Sequence, residues 1–261
     1  MKKFIVIGNP IKHSLSPNIH NFWFQSKKIK AIYEKKLIEQ KDLPIIVEEL
    51  KNEKISGVNV TVPFKKAIIP FLDELSISAK KVQSVNTVYK KNNKIVGDNT
   101  DIGGFEGALL HINYKVAGKK VLILGAGGVV TSLIYSLFNS GAGEITISNR
   151  TKTKSEAIKK IFTNIQIIDW GKVNEFDIII NATSLGLNSQ DKIDLDYKKH
   201  NNKLFYDIIY NPSETYFLKK AKEAGNQTEN GRLMFIYQAK LAFELWHDQK
   251  VEIDKDVVNL F

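Results

Sequence analysis

An aliphatic run that ends in a cluster of glycines constrains the fold of this chain more than any other feature. Val121–Leu124 is a strand-sized apolar run, Gly125-Ala126-Gly127-Gly128 follows it, and an apolar helix-like segment extends to Asn139. In a βαβ unit the first glycine permits a tight turn, and the second lets the backbone approach a pyrophosphate at the helix N-terminus. The pattern predicts dinucleotide binding, although Val130 stands where the full fingerprint has glycine or alanine.

Strand-like and helix-like segments alternate along the rest of the chain, which predicts an α/β architecture with mostly parallel strands. The glycine-rich turn belongs to a second block that begins near residue 101. Its strands are continuous apolar runs, as expected when helices cover both faces of a sheet. We therefore expect two domains, an N-terminal α/β domain followed by a Rossmann-like, doubly wound one.

Composition excludes several classes of protein. The net charge of +10 suggests a nucleic-acid partner, but only Arg150 and Arg232 among the 38 basic residues are arginines, and base readout favours the guanidinium group. No apolar run approaches the roughly 18 residues of a membrane span. The first one, Phe4–Ile7, is too short for a secretory signal and is interpreted as a strand. Cysteine is absent, so cysteine-based metal sites are excluded. We expect a cytoplasmic protein that binds no nucleic acid, membrane or metal.

The end of the next strand indicates which dinucleotide is bound. An NAD site usually has Asp or Glu at this position, where it binds the ribose 2′-hydroxyl. Here the strand Glu144–Ser148 is followed by Asn149 and Arg150, with Lys154 one helical turn later. A guanidinium with amide donors suits a 2′-phosphate, so the pattern favours NADP over NAD. The alternative is that Arg150 is an ordinary surface residue at a helix start.

A second cluster of polar residues points to acid–base chemistry. Asn59 and Thr61 are two residues apart on a predicted strand and therefore share one face. Lys65 follows Pro63 near the start of a predicted helix, where a cation opposes the helix dipole. A lysine in that position, beside amide and hydroxyl groups, favours use in proton transfer. The alternative is that Lys65 is exposed, like the adjacent Lys66.

Further polar residues accompany this cluster. Ser16 is predicted to cap a helix that starts at Pro17, which leaves Ser14 free for another role. Asn86 lies in a predicted strand, and Asp101 either caps a helix or serves a ligand. Together these hydroxyls, amides, ammonium and carboxylate suit a small polyhydroxylated acid.

In chain order these motifs resemble the shikimate dehydrogenase family, and the resemblance covers the whole chain. The segments that carry it are Ser14–Pro17, Asn59–Lys65, Asn86-Thr87, Gly97–Gly104, Gly125–Gly128, Asn149–Thr151, Asn181–Gly186, Asp207–Pro212 and Gly231 to Gln238-Ala239. The resemblance implies NADPH-dependent, reversible reduction of 3-dehydroshikimate to shikimate, in aromatic amino-acid biosynthesis. It implies a substrate-binding catalytic domain over 1–100, completed by C-terminal helices at 231–261, and an NADP-binding domain over 101–230.

The resemblance also assigns roles by position, with Lys65 and Asp101 as the catalytic acid–base pair. The residues that would hold the substrate are Ser14, Ser16, Asn59, Thr61, Lys65, Asn86, Asp101, Tyr210 and Gln238. The residues that would hold NADP are Gly125, Ala126, Gly127, Gly128, Val129, Asn149, Arg150, Thr151, Lys154, Thr183, Ile208 and Gly231. The family includes monomers and homodimers, and both remain open.

The chain departs from the family pattern at Val130, at Leu187 and Ile208 where methionine is common, and at Arg232. Two alternatives to a strict shikimate dehydrogenase remain. One is a dehydrogenase that also uses quinate or NAD, against which the serines Ser14 and Ser16 argue. The other is a non-catalytic NADP-binding sensor, which would need no acid–base pair.

Overall fold

A computed structural model describes residues 1–172, 175–199 and 201–261. The chain divides into two compact units, Met1–Gly104 with Ile236–Phe261, and Phe105–Phe235. Each boundary falls inside a helix, a few residues after the domain limits expected from the sequence. Helix-start patterns in the sequence mark where those two helices begin, whereas nothing in a local pattern marks a domain boundary inside a helix.

The regular elements are as follows. The strands are β1 (Lys2–Gly8), β2 (Ala31–Leu37), β3 (Gly57–Val60), β4 (Glu74–Leu75), β5 (Thr87–Lys91), β6 (Lys94–Asp98), β7 (Lys120–Leu124), β8 (Glu144–Ser148), β9 (Gln166–Ile168), β10 (Ile178–Asn181), β11 (Leu204–Asp207) and β12 (Gln227–Glu229). The helices are α1 (Ser16–Ser26), α2 (Leu43–Lys51), α3 (Ile77–Val82), α4 (Asp101–His111), α5 (Val130–Asn139), α6 (Lys152–Ile161), α7 (Tyr216–Glu223), α8 (Arg232–His247) and α9 (Lys255–Val258).

The first unit contains a six-stranded mixed sheet in the order β2-β1-β3-β5-β6-β4. Strand β1 is parallel to both β2 and β3, and β4 is parallel to β6, whereas β5 is antiparallel to both of its neighbours. Alternate residues of β1 pack on opposite faces, so Ile5 and Ile7 join the apolar cluster that α2 covers while Phe4 packs on aromatic rings. The carboxyl ends of β1 and β3 thus lie side by side.

The second unit has a six-stranded sheet in the order β12-β11-β10-β7-β8-β9, and every neighbouring pair is parallel. Ile123 packs into the cluster with α4 and α5, and Leu124, the next residue, packs with α7 on the other face. Burial on both faces explains why these strands are continuous apolar runs. The strand order is that of the Rossmann fold and reverses direction between β7 and β10, where ligands bind at the carboxyl ends of the strands.

An aromatic cluster fills the other face of the first sheet. Its centre is His20, which stacks on Tyr33 with ring centroids 4.4 Å apart and lies against the rings of Trp23, Phe243 and Trp246. Neither ring nitrogen of His20 has a hydrogen-bond partner among the described residues. Burial, and then the charge of nearby His247, lowers the pKa of His20 to about 3. The ring is therefore neutral in the folded protein.

This burial predicts that the fold loses stability in mild acid. The native state binds a proton at His20 less readily than the unfolded chain does, so the contribution of the neutral ring is present above about pH 6.5 and is lost as the pH falls. The wild-type protein should lose unfolding free energy between about pH 7 and pH 5, and we expect this loss to be smaller by about 2 kcal/mol in His20→Phe. Urea denaturation at the two pH values measures it. The exposed His13→Phe variant is the control and should keep the wild-type loss. An unchanged acid loss in His20→Phe contradicts the prediction.

Candidate active site

Lys65 and Asp101 form a buried ion pair in the first unit. Lys65 Nζ donates to Asp101 Oδ2 at 2.6 Å, and the two side chains are 12% and 8% exposed. Asp101 is the first residue of α4, where the helix dipole favours a carboxylate. The ammonium has three N–H groups, and Asp101 is its one hydrogen-bond partner among the described residues, so two N–H groups remain for another acceptor. The structure thus brings the two residues proposed from the sequence into direct contact.

The local structure around Lys65 differs from the expectation. Lys65 lies in a turn, and the next helical residues are the short 3-10 turn Ile69–Phe71, so the predicted helix start at Lys65 is wrong. Pro70 has no N–H to donate to the Lys66 carbonyl, so an α-helix that starts at Lys65 cannot continue through it. The turn is anchored instead by a backbone hydrogen bond, in which the Val85 N–H donates to the Lys65 carbonyl at 2.8 Å.

Asn86 holds the second oxygen of the Asp101 carboxylate. Its Nδ2 donates to Asp101 Oδ1 at 2.8 Å and to Thr100 Oγ1 at 3.0 Å, which uses both amide protons. Its Oδ1 accepts from the Thr100 backbone N–H at 2.8 Å and from the Thr87 hydroxyl at 3.0 Å. Thr87 and Thr100 lie within motifs that carry the family resemblance, but no role at the site was expected of either. The repeated Asn-Thr pair, at 86–87 and 99–100, is the signal that marks them.

Asn59 joins the same network from the end of β3. Its Nδ2 donates to the Asn86 carbonyl and to Thr87 Oγ1, each at 3.1 Å. Its Oδ1 accepts from the Tyr33 hydroxyl at 2.6 Å. Both amide protons are therefore committed to the protein, and the carbonyl oxygen retains one lone pair. Thr61 lies just beyond β3 and is half-buried, with its N–H donating to the Ile7 carbonyl at 2.9 Å.

Neither of the two serines at the start of α1 has the role expected of it. Ser16 is the first residue of the helix rather than its cap, and the cap position belongs to Leu15. Ser14 Oγ accepts from the Ser16 backbone N–H at 3.4 Å and donates to Ser16 Oγ at 3.2 Å. Because Ser14 contacts the first N–H of the helix, the expectation that Ser16 caps and Ser14 is free was wrong.

The remaining two candidates for substrate binding lie on different units. Gln238 is half-buried in α8, within the first unit. Tyr210 belongs to the second unit, where its ring stacks on Phe235 with centroids 4.7 Å apart.

The glycine-rich turn in the second unit has the geometry of a dinucleotide cradle. Gly125 has φ +112°, and a Cβ there would lie 2.7 Å from the Ala182 carbonyl oxygen, so only glycine fits. At Gly127 the nearest atom to such a Cβ is 3.8 Å away, which leaves space above the backbone. Helix α5 begins at Val130, after the last glycine of the turn, and no side chain caps it. Ala126, Gly128 and Val129 complete the turn.

Basic groups gather beyond the end of β8. Arg150, Thr151 and Lys154 are exposed, and Asn149 Nδ2 donates to the Thr151 carbonyl at 2.8 Å. A cavity of about 160 Å³ opens beside them, lined by Asn149, Arg150, Lys152, Ile167, Ile168, Asp169 and Trp170. The combination of cations and an indole ring suits a phosphate and a flat base.

A buried carboxylate ties together the loops that follow β10 and β11. Asp207 accepts hydrogen bonds from the Thr215 hydroxyl at 2.6 Å, the Ile209 N–H at 3.0 Å and Asn181 Nδ2 at 3.1 Å. Asn181 Oδ1 in turn accepts from the hydroxyl of Thr183 at 2.7 Å. Burial raises the pKa of Asp207 to about 6, although these hydrogen bonds lower it. The network therefore fixes the backbone around Thr183 and Ile208.

Gly231 packs against the second of these loops. A Cβ at this position would lie 2.0 Å from the Ile208 carbonyl oxygen, so the close approach requires glycine.

Among the described ranges, no group of three or more acidic or histidine side chains is placed to hold a metal ion. No helix in the same ranges has the length and apolarity to cross a membrane.

Two family models match the chain. Residues 6–88 match the one described as shikimate dehydrogenase substrate binding domain, and residues 108–212 match the one described as shikimate / quinate 5-dehydrogenase. A curated protein of Pelagibacter ubique named shikimate dehydrogenase (NADP(+)) is 54% identical over 260 residues, with 99% of this chain and 98% of that protein covered.

Solved structures give the same result. Shikimate 5-dehydrogenase of Thermus thermophilus, in complex with NADP(H) and shikimate, has a TM-score of 0.89 at 31% identity, covering 99% of this chain and 97% of that one. Shikimate 5-dehydrogenase of Listeria monocytogenes, in complex with shikimate and NAD, has a TM-score of 0.91 at 30% identity, covering 99% and 95%.

The Asp207 network predicts a pH-dependent cost of removing one donor. Thr215→Val keeps the side-chain shape but leaves one oxygen of a buried carboxylate unpaired and removes the cap of α7. We expect a loss of about 2 kcal/mol in unfolding free energy near pH 7.5, measured by urea denaturation. The loss should shrink near pH 5, because protonation of Asp207 removes the charge that the hydroxyl stabilises. Exposed Thr163→Val is the control, and an equal loss at both pH values contradicts the prediction.

Proposed function

The chain belongs to the shikimate dehydrogenase family, and we propose that it catalyses the reversible NADP-dependent reduction of 3-dehydroshikimate to shikimate with Lys65 and Asp101 as its acid–base pair. The chain is thus an NADP-dependent oxidoreductase. The observation that carries the residue assignment is the 2.6 Å contact between Lys65 Nζ and Asp101 Oδ2, which leaves two lysine N–H groups with no partner in the part of the chain that the structure describes.

The chemistry assigned to these two residues follows from their geometry. Bound NADPH supplies the hydride that converts the ketone carbon to an alcohol. As the ketone oxygen gains negative charge, the Lys65 ammonium stabilises that charge and donates a proton from Nζ. Asp101 Oδ2 holds the ammonium in place, and Asn86 fixes the carboxylate through Oδ1. In the oxidative direction Lys65 accepts the proton from the alcohol.

We assign the remaining polar residues of the first unit to substrate recognition. The buried Asn59 amide has no free proton but keeps one lone pair on Oδ1, so it serves as an acceptor for a substrate hydroxyl. The Asn86 amide is fully committed to the protein, so its proposed part in binding is to hold Asp101 and the neighbouring backbone in place. Ser14 and Ser16 carry hydroxyls that suit the substrate carboxylate. Thr61 and Gln238 complete the proposed substrate set of the first unit, and a substrate role for Tyr210 of the second unit stays a prediction.

The second unit supplies the proposed cofactor site. The space above Gly127 and the open N-terminus of α5 fit a pyrophosphate. The exposed cations Arg150 and Lys154 fit the 2′-phosphate, with Asn149 and Thr151 beside them. The loops held by Asp207 and Gly231 place Thr183 and Ile208 at the carboxyl ends of β10 and β11, where a Rossmann fold binds the nicotinamide half.

A second candidate function is a dehydrogenase of broader use. It is favoured by the description of the model that matches residues 108–212, which names quinate beside shikimate, and by the relative solved with NAD. The non-catalytic sensor differs from both by having no turnover.

A biosynthetic reduction that draws on NADPH supports a cytoplasmic location, and we propose a monomer or homodimer.

Absorbance of the reduced nicotinamide distinguishes these functions. We expect rapid reduction of NADP⁺ with shikimate, and much slower reaction with quinate or with NAD⁺. Comparable rates with quinate or NAD⁺ would establish the broader dehydrogenase. A folded protein that reduces neither nucleotide with either acid would be a sensor.

Replacing the proposed acid is the direct test of the mechanism. Lys65→Met keeps the length of the side chain but removes the transferable proton, and we expect turnover to fall by about 10²–10⁴-fold. The adjacent, exposed Lys66→Met is the matched control and should keep wild-type turnover. Turnover of a folded Lys65→Met within about tenfold of the wild type would remove Lys65 from the mechanism.

Replacing the guanidinium tests the cofactor assignment. Arg150→Gln removes the charge opposite the 2′-phosphate, so we expect the KM for NADP⁺ to rise about ten- to hundredfold while the weak reaction with NAD⁺ stays the same. Lys160→Gln, an exposed cation at the far end of α6, is the control. An equal rise in KM for both nucleotides would mean that Arg150 does not contact the 2′-phosphate.

A further inference from the structure

The hydroxyl of Tyr33 lies at the meeting point of two proposed substrate groups. Tyr33 is in β2 and is only 1% exposed. Its hydroxyl donates to Asn59 Oδ1 at 2.6 Å, and Ser16 is a second polar neighbour that lowers the pKa of Tyr33. Ser16 is in turn bonded to Ser14. One buried hydroxyl thus lies between the serines at the start of α1 and the amide at the end of β3.

The helix α1 holds this tyrosine in a fixed position. The Asn21 side chain makes two hydrogen bonds to its backbone. Asn21 Nδ2 donates to the Tyr33 carbonyl at 3.0 Å, and Asn21 Oδ1 accepts from the Tyr33 N–H at 2.9 Å. The neighbouring His20 stacks on the ring, with 2° between the two planes. Consecutive residues of α1 therefore fix both the backbone and the ring of Tyr33.

The hydroxyl is also fixed in its direction of donation. Burial raises the pKa of Tyr33 well above its ordinary value, so the hydroxyl keeps its proton and acts as a donor. Asn59 Nδ2 spends both protons on Asn86 and Thr87, so the amide oxygen is the atom that faces Tyr33. Those two bonds set the plane of the amide, and the Tyr33 hydroxyl adds a third anchor by donating to one lone pair of Asn59 Oδ1, which leaves the other lone pair for a ligand.

We propose that Tyr33 is a positioning residue for substrate recognition, whose hydroxyl holds the Asn59 carbonyl oxygen toward the bound hydroxy acid. The proposal rests on the proposed function of this site. Tyr33 acts through Asn59 rather than by touching the substrate. The Asp101 carboxylate of the proton-transfer pair is held by Asn86 and Lys65, and Asn59 reaches it only indirectly, through the Asn86 carbonyl and Thr87.

This separation predicts an effect on binding and little effect on turnover. Groups that hold the substrate equally in the ground state and the transition state change KM and leave kcat the same. Tyr33→Phe keeps the ring and its stacking on His20 and removes only the oxygen. We expect the KM and Kd for shikimate to rise about tenfold or more, the kcat to change less than about threefold, and the KM for NADP⁺ to stay the same.

The chain offers a matched control in Tyr206→Phe. Tyr206 is as deeply buried as Tyr33, but its hydroxyl has no hydrogen-bond partner among the described residues. The same substitution there should leave all three constants unchanged. Thermal unfolding of each variant establishes that the fold is retained. Asn21→Ala is the second variant, because it keeps the hydroxyl but frees the Tyr33 backbone, and we expect a smaller rise in the KM for shikimate.

A double-mutant cycle separates positioning from a general loss of structure. If Tyr33 acts through Asn59, Tyr33→Phe should have a much smaller effect on the Kd for shikimate in an Asn59→Ala background than in the wild type. Equal effects in both backgrounds, or an unchanged KM for shikimate in Tyr33→Phe, would overturn the proposal.

The failure of this proposal is distinguishable from failure of the proposed function. Wild-type protein that binds shikimate, measured by calorimetry, without reducing NADP⁺ would refute the dehydrogenase activity and leave the Tyr33 comparison intact through Kd. Wild-type protein that neither binds shikimate nor turns over would overturn both. Active wild-type protein with an unaffected Tyr33→Phe variant would overturn the Tyr33 proposal alone.

Discussion

Burying the charges of Lys65 and Asp101 is the constraint that organises the first unit. Removing two charges from water costs several kcal/mol per ion unless each remaining polar atom finds a partner. Asp101 meets this requirement through Lys65 and Asn86, and Asn86 is satisfied in turn by two threonines from neighbouring strand ends. The pair is therefore possible only where β3, β5 and the start of α4 converge, and the same convergence creates the set of acceptors proposed to recognise a polyhydroxylated acid.

The second unit meets a different constraint, the close approach of backbone to backbone at the ends of its strands. Gly125 lies against the Ala182 carbonyl and Gly231 against that of Ile208, where any side chain would collide. Such contacts need fixed loops, and the buried Asp207 carboxylate fixes them by accepting from the end of β10, the loop after β11 and the cap of α7. A charge is thus buried in each unit, and in both it orders the backbone or side chains around a proposed ligand.

Much of this was predictable from the sequence, and the errors occur where a neighbouring residue or a tertiary contact overrides the local signal. The glycine turn, the apolar strands and the candidates Lys65 and Asp101 were found because their signals are local or occur in a known order. The helix expected at Lys65 was wrong, because Pro70 has no N–H with which to continue it. The cap expected at Ser16 was wrong, because the Ser14 hydroxyl accepts from the first N–H of the helix. Tyr33 was not found at all, since a tyrosine in an alternating strand is indistinguishable from a core residue until Asn59 is placed beside its hydroxyl.

The sequence by itself determined the α/β class, the Rossmann-like second block and the chemical types gathered at the site, because periodicity and glycine positions are written along the chain. The tertiary structure decided which groups touch, since Lys65 and Asp101 are separated by 36 residues and Tyr33 and Asn59 by 26. Hydrogen bonds depend on distances of about 3 Å that only folding establishes. It also decided that the amide protons of Asn59 and Asn86 are spent within the protein, which determines the atoms left for a ligand.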